Sequence, residues 1–173
     1  MPRLYHVSDR AGIERFDPRP ASNNSAVVGD AVWAVDEEHL PNYLLHRDCP
    51  RICFARNATT TIEDEAQFLR YSNDGRIIAV EWEWQNRIRS SVLYIYELSP
   101  DSFDLIDANA GYYISRDTVT PLSISVVDDL LAEMKRRKVE LRFMTDLWKL
   151  HDAVAKSSLE FSMIRIRNAT SSA

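Results

Sequence analysis

Glycine is scarce in this chain, with four in 173 residues (Gly12, Gly29, Gly75 and Gly111). A dinucleotide fingerprint needs three closely spaced glycines, and a P-loop needs two with a following lysine, because only residues without Cβ let backbone amides close on phosphates. Both motifs are excluded by inspection, so any nucleotide must be held by another architecture. Cysteine is scarcer still: Cys49 and Cys53 are too few for a disulfide framework. Cationic excess is also lacking, since 21 Lys and Arg against 26 Asp and Glu leave a net charge of −5. That balance excludes extensive nucleic-acid coating and general attraction to anionic membranes, while leaving room for a local basic pocket. No apolar run is long enough to span a bilayer, and Met1 to Tyr5 opens without a basic and apolar leader. The expectation is a soluble, cytoplasmic protein.

What is present is an ordinary globular composition, 45% hydrophobic and 27% charged, in a chain about the size of one domain. Strand and helix patterns alternate without repeats, which predicts a single α+β domain over residues 1–173. Strands are expected at Leu4–Val7, Ala31–Val35, Arg51–Ala55, Arg76–Trp84, Ser91–Leu98, Pro121–Val127 and Glu160–Arg167. In the fourth of these, period-two alternation puts Ile78, Val80, Trp82 and Trp84 on a core face and Glu81 and Glu83 on the other. In the last, Arg165 and Arg167 share a face. Asp36 is suited to cap a short helix carrying Leu40, Tyr43 and Leu44, and Thr61 precedes a helix over Asp64–Tyr71. Further helices are expected at Asp128–Lys138, with Leu130, Leu131 and Met134 inward, and at Asp146–Lys156. Asp17-Pro18-Arg19-Pro20, Ser22–Ser25 and Asn73-Asp74-Gly75 read as loops and turns.

The segments Tyr5-His6-Val7-Ser8, Val32-Trp33-Ala34-Val35-Asp36, Arg47-Asp48-Cys49-Pro50-Arg51 and Glu160-Phe161-Ser162-Met163-Ile164-Arg165 resemble a bacterial family of unknown function over nearly the full length. More loosely, the order of elements from residue 3 to about 127 is similar to the ADP-ribosyltransferase-like fold. PARP-type transferases, rifamycin ADP-ribosyltransferases and RNA 2'-phosphotransferases share that fold. The resemblance implies split antiparallel or mixed sheets with flanking helices, followed here by a helix-helix-strand extension over 128–173. It implies NAD or a related nucleotide as ligand and, if the protein is an enzyme, an ADP-ribosyltransferase or glycohydrolase. Leu4-Tyr5-His6-Val7-Ser8 looks like the family's opening strand, with His6 holding a ribose. Ala31-Val32-Trp33-Ala34-Val35 is similar to its second strand, with Trp33 against the nicotinamide. Where many members carry an acid, this chain has Gly111-Tyr112-Tyr113, and the nearest acids are Asp104 and Asp107.

Each candidate has a structural alternative. His6 can donate to a ribose or phosphate oxygen, or simply bond a neighbouring strand. Trp33 can stack on a planar base and Tyr43 can cover the same pocket, or both can pack as core and staple. Asp107 is the preferred acid for orienting a reacting sugar, against an ordinary loop carboxylate. With His6 it forms the candidate catalytic pair, and an unrelated small hydrolase using the same two groups is a further reading. Arg19, Arg47 and Arg51 could hold a pyrophosphate through bidentate guanidinium contacts, or pair internally. His46-x-x-Cys49-x-x-x-Cys53 lacks a fourth ligand for zinc, so no metal is expected and both cysteines read as small buried hydrophobes. A non-catalytic binding or interaction protein on the same scaffold is the alternative to a transferase.

Overall fold

The computed structural model describes residues 1–21 and 27–170; the loop expected at Ser22–Ser25 lies outside the described residues. In chain order the strands are β1 Leu4–Ser8, β2 Arg19–Pro20, β3 Asp30–Asp36, β4 Arg51–Ala55, β5 Arg76–Glu81, β6 Leu93–Leu98, β7 Phe103–Asp107, β8 Tyr112–Ser115, β9 Pro121–Val127, β10 Val139–Met144 and β11 Glu160–Ile164. The helices are α1 Ile62–Asp64, α2 Gln85–Ser90, α3 Leu130–Arg136 and α4 Trp148–Ala155. A mixed α+β architecture follows, with the chain divided into two compact units. One is built from Met1–Tyr43 and Val92–Val127, the other from Leu44–Ser91 and Asp128–Ala173. Residues 44–91 thus fold with the C-terminal segment and not with the opening strands.

The first unit holds a sheet in the order β7-β8-β3-β1-β6-β9, with β2 added beside β3. Every pairing in it is antiparallel. The register opposes Leu4 to Leu98 and His6 to Tyr96, so these side chains share one face. Leu4, Val32, Ala34, Tyr96, Leu98 and Val119 form a core there, with Ile13, Phe16, Phe103 and Tyr113 packed on it. Residues 10–16 are tied down over this core. The Tyr96 hydroxyl donates to the Arg10 carbonyl (2.6 Å) and accepts from the Ile13 amide (3.2 Å). Phe16 and Val119 then exchange two backbone bonds of 2.8 and 2.9 Å.

The second unit has a four-stranded sheet, β10-β5-β4-β11, in which β5 and β10 run parallel and the other pairs antiparallel. One face carries Ile52, Phe54, Ile77 and Ala79 into a core with Phe68, Leu147, Val154 and Leu159. The opposite face sets Arg51, Cys53 and Ala55 beside Val80, Ile78 and Arg76. There Arg76 reaches Glu160 at 2.7 Å as a largely buried ion pair. Both cysteines are buried thiols, and burial first of all pushes them up, Cys49 to about 12 and Cys53 to about 11. They therefore behave as the small hydrophobes expected, since the reactive thiolate is suppressed.

Several elements differ from expectation. β5 ends at Glu81, and Trp82–Trp84 is a 3-10 turn leading into α2. Trp82 and Trp84 are not core residues: Trp82 is 54% exposed and stacks on Phe143, while Trp84 packs against His46 and Arg87. The Gln85-Asn86-Arg87-Ile88-Arg89 run, helix-tolerant with one apolar residue to bury, draws the chain out of the ladder, and Ile88 is fully buried. β11 stops at Ile164 because Arg165 takes a left-handed conformation (φ 53°) and a 3-10 turn follows, so Arg165 and Arg167 share no strand face. The helix after Thr61 starts at Ile62 and passes into a π-helical turn over Glu65–Leu69.

In α3, Asp129 caps the first turn by accepting from the Ala132 amide (2.9 Å), and Leu130 and Met134 are buried as expected. Glu133 takes hydrogen bonds from Arg136 (2.8 and 2.6 Å) and Arg137 (2.6 Å). The Arg136 bond foremost, aided by Arg137 against the effect of burial, lowers its carboxyl to about 2. A carboxyl whose folded value is depressed stabilises the fold above its unfolded pKa and loses that contribution as pH falls through the folded one. Glu133→Gln is therefore expected to cost about 1 kcal/mol at neutral pH, discounted for the exposed Arg136 partner. Denaturant titrations of the two proteins should converge as pH is lowered from 4.5 toward about 2.

Candidate functional site

The sheet of the first unit parts between two of its central strands. β1 and β3 pair only at Leu4↔Asp36 and Tyr5↔Val35. Beyond that point β1 stays with β6 as far as Ser8↔Tyr94, and β3 stays with β8 as far as Val32↔Ser115. Where the ladder stops, a side chain replaces it: His6 Nδ1 donates to the Trp33 carbonyl at 2.9 Å. The His6 ring also lies 4.7 Å from Phe16. His6 thus fastens the two strands at the mouth of the parting.

Trp33 projects from the other face of the sheet. It is two residues from Val35, which opposes Tyr5, whereas His6 follows Tyr5 by one. Its ring meets Tyr112 edge to face at 5.8 Å and 89°. Tyr112 stands diagonally across the β3–β8 ladder, and its hydroxyl accepts from that of Tyr43. Trp33, Tyr43 and Tyr112 form one aromatic cluster, each ring only partly buried.

The Tyr43 position is set by local chemistry. Asp36 Oδ1 accepts from the His39 amide at 2.9 Å and from His39 Nδ1 at 2.7 Å, which starts the turn that continues as a 3-10 helix over Leu40–Tyr43. Leu40 is fully buried and anchors that turn. The same pair presses on Gly111, whose carbonyl accepts from the Asp36 amide at 3.0 Å. Gly111 has φ +64°, and a Cβ there would lie 2.3 Å from His39 Nδ1 and 2.7 Å from both Asp36 oxygens. The backbone at Gly111 is thus shaped by close contact with an Asp–His pair. Asp36 was readable as a helix cap, but the role of His39 was not; the Asp-x-x-His spacing is the only signal that could have found it.

The remaining candidates fall elsewhere. Asp107 Oδ1 accepts from the amides of Asn109 (2.9 Å) and Ala110 (3.1 Å), so its carboxylate caps the turn between β7 and β8. Asp104 is exposed on β7. Arg19 is exposed in β2, opposite Ala31. Arg47 and Arg51 belong to the second unit. Arg47 is exposed, whereas Arg51 is 2% exposed and donates to the carbonyls of His46 (3.2 Å) and Cys49 (2.9 Å). The structure therefore brings Trp33 and Tyr43 together, adds Tyr112, and sends the His6 ring to the opposite face. Among the described residues no group of three or more His, Cys, Asp or Glu could hold a metal ion.

A family model described as a family of unknown function (DUF6886) matches residues 5–169. The chain belongs to that family. Its match takes in the parting of β1 from β3, the aromatic cluster and both units. No curated protein and no solved structure matches the chain. No helix is long and apolar enough to cross a membrane.

Proposed function

We propose that the parting between β1 and β3 is a binding cleft for NAD or a related nucleotide, on an ADP-ribosyltransferase-like scaffold. The observation that carries this reading is the parting itself, flanked by Trp33, Tyr43 and Tyr112. A split sheet with an aromatic residue on its second strand is what the family resemblance implies. Three partly exposed rings offer faces and edges for a planar base without any glycine-rich loop. His6 contributes by fixing the Trp33 backbone at the mouth of the cleft.

The same geometry favours binding without turnover. Asp107 is engaged with turn amides, and Gly111 is committed to the Asp36–His39 contact. A transferase would need a carboxylate to support positive charge at the anomeric carbon, and neither position supplies one. Calorimetry with NAD tests the reading. Binding at submillimolar concentration is expected, with Trp33→Ala weakening it about tenfold or more, the loss of one stacked base at ~1–3 kcal/mol. No binding at millimolar NAD overturns it. Release of nicotinamide that Asp107→Asn abolishes would instead establish the transferase or glycohydrolase reading.

A further inference from the structure

We propose that two copies of this chain associate through β9, antiparallel and centred on Ile124, joining their sheets into one. β9 is an edge strand, paired to β6 on one side only. Its burial runs against the usual rule for a sheet beside a core: Leu122 is 66%, Ile124 47% and Val126 60% exposed, and the three alternate along one face. Ser123 and Ser125 fill the intervening positions. Exposed edges are ordinarily defended by charged side chains, proline or bulges. Here Pro121 and the bulge between Glu97 and Leu98 guard only the start of the strand.

Charge selects the occupant. From Thr118 to Val127 there is no ionisable residue, in a chain that is 27% charged. Each copy carries a net charge of −5, so two copies meet most readily where no like charges oppose one another. The other edge of the same sheet, β7, carries Asp104 and Asp107 and would place carboxylates in register with carboxylates. β9 is also self-complementary, as a two-fold interface requires. With Ile124 opposite Ile124 of the second copy, Leu122 meets Val126 and Ser123 meets Ser125. An open concavity lined by Gly12, Ile13, Glu14, Pro121, Leu122 and Ile124 extends the surface beside the strand, with Glu14 its one ionisable residue. Even so, one short strand and its apolar row fall below the ~800 Å² per partner of a standard interface, so the dimer is reversible and forms in the micromolar range.

Sedimentation of the full chain from micromolar to hundreds of micromolar should show a monomer–dimer equilibrium. Ile124→Lys should leave a monomer throughout with an unchanged melting temperature, because this side chain is half exposed. Register is read by cross-linking. Ile124→Cys places two thiols on the two-fold axis within disulfide reach and should oxidise to a covalent dimer, whereas Leu122→Cys, which faces Val126, should not. Cys49 and Cys53 are buried and do not compete. A monomer at every concentration, or a dimer that survives Ile124→Lys, overturns the proposal. Neither outcome bears on NAD binding, whose proposed cleft lies between β1 and β3, with β6 standing between β1 and β9.

Discussion

Replacing Gly111 with alanine should destabilise the protein by about 2–4 kcal/mol, the sum of a left-handed backbone forced on a side chain and an overpacked contact. The two contributions can be separated. Gly12 has nearly the same backbone angle, φ +67°, but a Cβ there meets nothing within 4 Å. Gly12→Ala should therefore cost only the conformational part, about 1 kcal/mol. At Gly111 the added carbon would sit 2.3 Å from His39 Nδ1 and 2.7 Å from the Asp36 carboxylate, and none of these atoms is the loose end of a flexible chain. Relief must come from breaking the Asp36–His39 bond, which positions the turn carrying Tyr43. Urea unfolding of both variants measures the difference. Equal losses at the two positions would mean that the close approach at Gly111 relaxes without cost. On the proposed reading of the cleft, NAD binding should weaken in Gly111→Ala and stay unchanged in Gly12→Ala.

Tyr96→Ala should cost about 3–5 kcal/mol, because a fully buried aromatic leaves a cavity that its neighbours fill only in part. Tyr96→Phe separates packing from polar chemistry. It keeps the ring, including its edge-to-face contact with Phe16 at 5.3 Å, and removes only the hydroxyl between Arg10 and Ile13. About 1–2 kcal/mol is expected, since the Arg10 carbonyl and the Ile13 amide lose their shared partner. The loss is local to residues 10–16, so trypsin should cut Tyr96→Phe at Arg10 or Arg15 faster than it cuts the wild type. An unchanged digestion pattern would show that the Phe16–Val119 backbone bonds hold the segment unaided.

Strands with both β-branched content and a clean boundary were legible in the sequence. β4 and β9 match their expected limits, and β1 and β3 differ by a residue at one or both ends. The expected strand through Trp84 ran on because Trp-Glu-Trp continues a period of two, while the fold bends the chain there to start α2. β10 carries its own alternation, Val139, Leu141 and Phe143 against Glu140 and Arg142, but it follows directly on the basic end of α3, between the two expected helices, where the sequence reading assigns no element. Its partner is β5, a parallel neighbour far away in sequence, and no local pattern announces such a pairing.

At the candidate site, the resemblance singles out Trp33 and the spacing from Leu40 singles out Tyr43, and the structure adds that the two meet around Tyr112 through the β3–β8 register. That register also brings Gly111 onto Asp36 and His39. Contacts of this kind are created by tertiary pairing alone, so Gly111-Tyr112 read only as the absence of an acid. Arg51 takes the internal alternative. A guanidinium beside a Cys-Pro break suggests an anion site, yet full burial obliges it to satisfy the backbone carbonyls of its own loop.

The interleaving of the two units sets the order in which the protein can be made. β4 and β5 leave the ribosome before β6, so the second unit begins as an isolated hairpin while the first still lacks four of its strands. Once residue 127 has emerged, the first sheet has every strand it will use. The second must wait for β10 to pair with β5 and for β11 to pair with β4. Until then β4 and β5, in which every residue is buried in the finished fold, present unpaired edges on both sides. Pairing of β11 with β4 is the step that covers the second of these edges.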